Sequence, residues 1–173
     1  MKKIALLVVM FVFCAGQYAH AENLKIGVVD LIKALNESDS GKKAKVDLEA
    51  MIKTKQVTID EKGKEIEKLK GDIEKQSSVL SADARKAKES DLERLIRDYQ
   101  RLVTDSQNEV KKKEGEFTAE IVKELRAIIE KMGQDGGYTM IIENAEGIIL
   151  FSNKDLDLTE IVIKKYNETK AKK

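Results

Sequence analysis

A proline-free stretch, residues 41–132, separates two short segments that have strand character. The stretch is dominated by Lys, Glu, Ala, Leu, Ile and Arg, and all of these except Ile strongly favour helix. The two segments are "KIGVV" at residues 25–29 and "GYTMIIENAEGIILFS" at residues 137–152. A single helix over residues 41–132 would carry the chain about 135 Å, so the strand-like segments could not meet. We therefore predict two helices that fold back on each other.

The apolar residues of this stretch recur with the 4-3 spacing of a coiled-coil seam. The first series is Leu48, Ile52, Ile59, Ile66, Leu69 and Ile73. The second series is Leu92, Ile96, Tyr99, Val103, Val110 and Phe117. Lys55 and Lys62 interrupt the first series, and Ser106 and Lys113 interrupt the second. Two narrow stripes of this kind predict an antiparallel helical hairpin.

The turn of the hairpin is predicted within "QSSVLSADAR". Ser77 and Ser78 weaken the helix there, and Ser81 is a good cap for a new one. The first helix is expected over residues 41–76 and the second over residues 83–132, with the tip at residues 77–82.

The end of the second helix has a broader apolar face, which indicates burial against more than one neighbour. This face comprises Ile121, Val122, Leu125, Ile128, Ile129 and Met132. We therefore predict a mostly helical α+β protein with two parts. Residues 22–40 and 118–173 form a β-containing body, and residues 41–117 form a projecting arm.

Residues 138–143 and 148–151 are β-branched or aromatic runs on either side of a short loop, which predicts a β-hairpin. With residues 25–29 they would form a small sheet in the body. Asp157 and Glu160 then fit an N-cap with a glutamate at the third helical position. The helix that follows is predicted to bury one apolar side, formed by Leu158, Ile161, Val162 and Tyr166.

These strands are apolar on both faces, so alternation cannot hide every side chain on one side of the sheet. A single chain would expose an apolar patch and open strand edges, which soluble proteins avoid. We predict an oligomer whose body is the interface, although this reasoning does not set the number of subunits. The residues assigned to that interface are Ile26, Val28, Ile121, Leu125, Ile128, Ile141, Ile142, Ile148, Leu150 and Phe151.

The N-terminal sequence "MKKIALLVVMFVFCAGQYAHA" predicts a secretory signal peptide, residues 1–21, cleaved after Ala21. The apolar run is shorter than the roughly 20 residues of a membrane span, which disfavours a retained anchor. Phe13 precedes Cys14 where lipid attachment needs a small residue, so a lipoprotein is rejected.

Cleavage would remove Cys14 and His20, the only cysteine and the only histidine. The exported chain would then lack disulfides and the commonest metal ligands and nucleophile-base pairs. Its carboxylates alternate with lysines, as on solvated helix faces. We expect no catalytic site, no metal and no cofactor.

Three motifs together resemble the Skp (OmpH-like) family: "KIGVVDLIKAL" after a signal peptide, "VLSADARKAKESDLERL" at the turn, and "IIENAEGIILFSNKDLDLTEIVIKKYN" near the end. The resemblance implies a periplasmic homotrimer with a β-barrel body and three helical arms around a cavity. It also implies that unfolded outer-membrane β-barrel proteins are held there without ATP. The functional surface of the family is distributed, so no single motif transfers residue by residue.

Candidate client-contact residues lie along the arm and at its tip, although for any one of them helix packing or tip capping is the favoured explanation. They are Val57, Val79, Leu80, Ala84, Arg85, Lys86 and Lys88. Gly63 and Gly71 interrupt the first helix, which indicates either a flexible arm or simple tolerance of glycine on an exposed face.

The same sequence features are compatible with functions other than that of a holdase, a chaperone that holds unfolded proteins. A coiled-coil spacer or adaptor of the cell envelope would show the same heptads. Basic runs such as "RKAK" also suggest binding of nucleic acid or of a membrane surface as the main function, but export, neighbouring acidic residues and the lack of interleaved aromatics disfavour both.

Lipopolysaccharide or an anionic membrane surface remains a candidate partner. Well-known members of the Skp family are markedly basic, whereas cleavage would take this chain from a net charge of +1 to −1, because Lys2 and Lys3 leave with the signal. Residues 62–101 carry 11 Lys or Arg against 9 Asp or Glu, so any electrostatic capture at the tip would be weak.

Overall fold

The computed structural model describes residues 24–145 and 148–172. The predicted signal peptide and its cleavage site lie outside these residues, as do the last two residues of the predicted 144–147 loop. The strands are β1 (Ile26–Val29) and β2 (Met140–Glu143). The helices are α1 (Leu31–Glu37), α2 (Asp39–Lys75), α3 (Ala82–Gly136), a 3-10 turn (Lys154–Leu156) and α4 (Thr159–Ala171).

The two long helices form an antiparallel hairpin. Near the body Lys55 of α2 pairs with Glu109 of α3, and further out Gly63 lies beside Tyr99. Both helices begin and end within a few residues of their predicted bounds. Ser81 caps α3 by accepting a hydrogen bond from the Ala84 backbone at 3.3 Å, as its position in the sequence predicts.

Helix α3 extends past residue 132 and stops at a glycine. Gly137 adopts a left-handed conformation with φ of 62°, which costs glycine little and other residues more. The Tyr138 backbone N–H then donates to the Gly133 carbonyl at 3.0 Å, satisfying a carbonyl at the helix end.

A short helix that the sequence analysis did not assign, α1, links β1 to the arm. Asp30 caps it through a 2.8 Å hydrogen bond from the Lys33 backbone. Ser38 separates α1 from α2, accepting from the Gly41 backbone at 3.1 Å and donating to the Leu35 carbonyl at 3.0 Å. A Cβ on Gly41 would lie 1.7 Å from the Leu35 carbonyl oxygen, so this junction requires glycine.

The sheet has two parallel strands, because β1 pairs with β2 in the register Ile26 to Met140 through Val29 to Glu143. On its other side β1 makes a single parallel bridge from Val28 to Asp157. The predicted β-hairpin is therefore wrong: residues 148–151 are not in a strand, and β2 pairs with β1 instead.

The sequence of residues 148–151 favours a strand, but a strand is stable only when its side chains pack against neighbours. In the described chain Leu150 is 95% exposed and Phe151 is 89% exposed. Strand propensity without such packing does not extend the sheet.

The hydrophobic core lies where α1, the end of α3 and α4 meet beside β1. Its most enclosed large side chains are Val29, Leu125, Val162 and Tyr166, each at most 1% exposed. Other members of this core are Leu31, Ala34, Ala44, Ile121, Met132, Leu158 and Ile163. The broad apolar face predicted for the end of α3 thus contributes Ile121, Leu125 and Met132 to the core.

The buried side of α4 differs from the prediction at one position. Leu158, Val162 and Tyr166 are buried, whereas Ile161 is 47% exposed and Ile163 is buried in its place. Leu158, Val162 and Tyr166 follow a four-residue spacing, and Ile161 lies off that line on the helix surface.

The predicted N-cap of α4 is wrong by one residue, because Leu158 and not Asp157 is the N-cap, and its side chain makes no capping hydrogen bond. Asp157 accepts from the Thr159 backbone at 2.9 Å, but Glu160 pairs with Lys33 at 2.7 Å instead of turning back to the backbone. The Asp157 N–H already donates to the Lys154 carbonyl at 3.0 Å, so it does not need the glutamate.

Candidate functional site

The predicted body residues divide into an enclosed set and an open set. Val28, Ile121 and Leu125 are buried. Ile26, Ile128, Ile141 and Ile142 are half-buried. Ile148, Leu150 and Phe151 are exposed, although the sequence analysis assigned them to the same interface. The core of a single chain thus accounts for part of this set and leaves an apolar surface on the body.

The body also has an open sheet edge. Strand β1 is flanked by β2 and by the Asp157 bridge, whereas the outer edge of β2 pairs with no strand in the part of the chain that the structure describes. Met140 at the start of β2 is also largely exposed. Unpaired backbone groups beside exposed apolar side chains favour association with another chain.

A polar cluster fastens α4 to α3 within the body. The Tyr166 hydroxyl donates to Glu124 Oε2 at 2.7 Å, and Lys170 Nζ donates to Glu124 Oε1 at 2.6 Å. Burial raises the pKa of Tyr166 to about 12, and the hydrogen bond to Glu124 acts in the same direction. Tyr166 is therefore a neutral donor at physiological pH, and it fixes how α4 lies on α3.

A second cluster joins the start of α4 to β1. The Thr159 hydroxyl donates to Asp157 Oδ1 at 2.5 Å and accepts from the Asp30 backbone at 3.0 Å. The hydrogen bond from the Thr159 side chain lowers the pKa of Asp157, against the opposing effect of burial. Such a carboxylate stabilises the fold above its unfolded pKa, and that contribution is lost as pH falls through the folded value.

Sequence reasoning missed Glu124, Ser38 and Thr159 as residues that position the body. Each acts across a long separation in the chain or at an unpredicted junction, so local spacing carries no signal for it. The sequence singled out Asp157 at the start of α4, because capping partners lie close together along the chain, but it placed the N-cap one residue too early.

The candidate client-contact residues do not converge on one site. Val79 is 79% exposed at the tip, and Val57 lies on α2, well away from the tip. Leu80, Ala84 and Lys88 are half-buried, and Arg85 and Lys86 are exposed. Arg85 is paired with Glu89 at 2.8 Å, which offsets part of the positive charge at the tip.

The two arm glycines differ in their surroundings. A Cβ on Gly63 would lie 3.8 Å from the Tyr99 ring, an ordinary contact, and a Cβ on Gly71 would meet no atom within 4 Å. A Cβ would fit at both positions, so any effect of these glycines on the arm comes from the greater flexibility of the glycine backbone.

The arm has an open seam between its helices. Across residues 41–117, all of which the structure describes, the buried side chains are Ala44, Ile73 and Ser106. A cavity of about 350 Å³ lies near the body end of the seam and one of about 660 Å³ lies further out. Ile52, Val110 and Glu114 line both cavities, so the two adjoin, and together they are called the groove.

Three properties hold across the residues that the structure describes. Every buried side-chain nitrogen and oxygen among them has a hydrogen-bond partner. Their His, Cys, Asp and Glu side chains form no group of three or more that could hold a metal ion. Within the same residues no helix is both long enough and apolar enough to cross a membrane.

A family model for outer membrane proteins of the OmpH-like type matches residues 25–166, which is most of the chain. The chain belongs to the OmpH-like family. The matched range includes both strands, the two long helices and the first part of α4. The resemblance seen in the sequence motifs is thus confirmed at the level of the family.

This OmpH-like chain also shares its fold with a solved structure, a candidate outer membrane chaperone (OmpH-like) from Caulobacter crescentus CB15. The TM-score is 0.79 at 16% sequence identity, and the alignment covers 84% of this chain and 85% of that chain. The comparison with curated proteins gives no match.

Proposed function

We propose that this OmpH-like protein is an ATP-independent holdase of the periplasm, which binds unfolded outer-membrane β-barrel proteins and prevents their aggregation. The observation that carries the proposal is the family match over residues 25–166, which takes in body and arm together. A function that depends on the shape of the whole chain is consistent with a match over that whole length.

The surface of the arm supports this function. Ile52, Val57 and Ile96 are exposed on helices that carry many charged side chains, and Val79 is exposed in the turn between them. Each small apolar contact contributes little binding free energy, so an extended client would be held at many points and released quickly. This surface suits a client that has no fixed structure.

The assembly that we propose is a homotrimer held by the body, residues 22–40 and 118–173, with the arms of residues 41–117 projecting from it. The exposed side chains of Ile148, Leu150 and Phe151 support an interface there. The open edge of β2 would pair with a neighbouring subunit, which would cover both the apolar surface and the unpaired backbone groups.

Periplasmic location follows if residues 1–21 direct export and Glu22 begins the mature chain. The proposed action of this chain on its clients uses no ATP, because the sequence has no glycine-rich loop with the spacing that cradles phosphate. Binding and release would then depend on affinity alone.

The decisive experiment dilutes a urea-unfolded outer-membrane barrel protein into buffer with or without this protein and follows light scattering. We expect scattering to be suppressed equally in the presence of ATP and after ATP depletion. A coiled-coil spacer would leave aggregation unchanged, and that result would overturn the proposal. A strict requirement for ATP would contradict it as well.

A further inference from the structure

The groove between α2 and α3 exists because the coiled-coil seam is interrupted there. Lys55 occupies a seam position and directs its ammonium group to Glu109. Ser106 lines the same cavity; it is only 5% exposed, and its side chain is too small to fill the space between the helices. Large apolar side chains at these two positions would close the seam, so the interruption leaves the groove open.

The floor of the groove is apolar. Ile52, Ile59, Tyr99, Val103 and Val110 line its larger cavity. Ile52 is 48% exposed even though it occupies a seam position, so the partner helix covers only part of it. The groove thus presents apolar surface that the hairpin itself does not bury.

The charges at the rim indicate what kind of molecule fits. Lys45 and Lys111 lie along the groove with Glu49 and Glu114, and Lys55 is already paired. Neither sign dominates, which disfavours a phosphate-rich ligand such as a lipid headgroup or nucleic acid. Ammonium and carboxylate groups together complement an extended peptide backbone, which offers both carbonyl acceptors and N–H donors.

The length of the groove matches alternating side chains on a strand. Ala44 and Ile59 lie near its two ends, which are about 22 Å apart at 1.5 Å per residue. Side chains on one face of an extended strand recur about every 6.6 Å, so about three of them would fit. Transmembrane β-strands alternate apolar and polar residues over about ten positions, which supplies that pattern.

We infer that the groove between α2 and α3 binds one extended, alternately apolar segment of a client, the pattern of a single outer-membrane β-strand. This inference rests on the proposed holdase function and gives it a local site. Alternate side chains enter the groove, and the backbone lies along the charged rim.

The test compares Ser106→Leu, which fills the groove, with Ser90→Leu, the same change at an exposed position on the same helix outside it. The probe is a fluorescent ten-residue peptide that alternates Val or Leu with Ser or Thr. A permuted peptide of identical composition without alternation serves as the second probe. Binding is measured by fluorescence anisotropy, and circular dichroism checks that each variant is folded.

We expect Ser106→Leu to weaken binding of the alternating peptide on the order of fivefold, the effect of losing about one buried apolar contact. Ser90→Leu should leave it within about twofold. The permuted peptide should bind the wild-type protein more weakly than the alternating one.

A second pair of variants removes apolar surface instead of filling the groove, should Ser106→Leu unfold the arm. Ile52→Ser should weaken binding, whereas Val46→Ser, an exposed position on α2 outside the groove, should not. Unchanged binding in the folded groove variants would overturn the inference, as would equal binding of both peptides. Suppression of aggregation by the wild-type protein is measured separately. The holdase function is therefore supported by that assay even if the peptide does not bind in the groove.

Discussion

The body and the arm are built from the same kinds of residues but bury them very differently. In the body, Leu125, Val162 and Tyr166 are almost fully enclosed by several elements. In the arm, each helix has the other as its neighbour, and between residues 45 and 117 the buried side chains are Ile73 and Ser106. Burial of apolar surface is the main source of stability, so the body holds most of the folding free energy. The arm instead leaves most of its side chains exposed or half-buried.

This difference predicts different responses to mutation and different dynamics. A long two-helix hairpin with few enclosed side chains opens locally at low free-energy cost, whereas a packed core opens only when the protein unfolds. Many of the arm's charged side chains form ion pairs within one helix, such as Arg85 with Glu89, and each contributes little. The arm depends on the body for its position and on its own helices for its shape.

The largest effect is expected at the exposed apolar surface of the body. Leu150→Asp would place a charge in the proposed interface, and burying it without a partner costs about several kcal/mol. The mass measured by multi-angle light scattering should fall from that of a trimer. Val79→Asp, a similarly exposed position at the tip of the arm, should leave the mass unchanged. A wild-type monomer, or a Leu150→Asp protein of wild-type mass, would contradict the proposed assembly.

The next effect compares one substitution in the two regions. Leu125→Ala leaves a cavity in the enclosed core and should lower the free energy of unfolding by about 3 kcal/mol. Leu69→Ala removes a half-buried leucine from the arm seam, where water can fill the space, and should cost about 1 kcal/mol. Urea denaturation of both variants measures the difference. Equal losses would show that the arm is as tightly packed as the body.

The junction between the two regions is expected to be sensitive to a single methyl group. Gly41→Ala would force its Cβ against the Leu35 carbonyl, and the shift needed should cost roughly 2 kcal/mol. Thermal unfolding should show the loss, while Gly115→Ala, at a position with open space on α3, should not be destabilising. A neutral Gly41→Ala would mean that the bend at Ser38 adapts easily.

The smallest effect has the opposite sign and lies within the arm. Gly63→Ala with Gly71→Ala meets no steric obstacle and should stabilise α2 by roughly 0.5–1 kcal/mol at each position. We expect a higher melting temperature, an unchanged assembly, and weaker protection of large barrel clients than of small ones. If the double variant protects both sizes as well as wild type does, the glycines are merely tolerated.

The sequence predicted the arm far better than the sheet. The 4-3 spacing from Leu48 to Ile73, with Ser81 as a cap, is local information, and it located both long helices to within a few residues. The sheet depends on which segments meet in space. Residues 148–151 have strand propensity, but without a neighbour to cover Leu150 and Phe151 they do not pair within one chain.

The candidate site was predictable only in outline. Val57 and Val79 are exposed, and their assignment to a contact surface stays a prediction. The groove depends on Lys55 of α2 and Ser106 of α3 lining the same cavity. In the sequence, Lys55 interrupts the apolar series of the first long helix, and Ser106 interrupts that of the second. Their alignment is set by the register of the hairpin, which the length of the turn and the packing of the body determine.

The claim that the arm takes the client while the body holds the assembly can be tested most directly by amide hydrogen exchange. Exchange is measured in the assembled protein with and without a bound, unfolded outer-membrane barrel protein. We predict slower exchange at residues 44–59 and 99–114 when the client is bound, and unchanged exchange in the core helices at residues 121–132 and 159–171. Protection confined to the body, or none in the arm, would contradict this account.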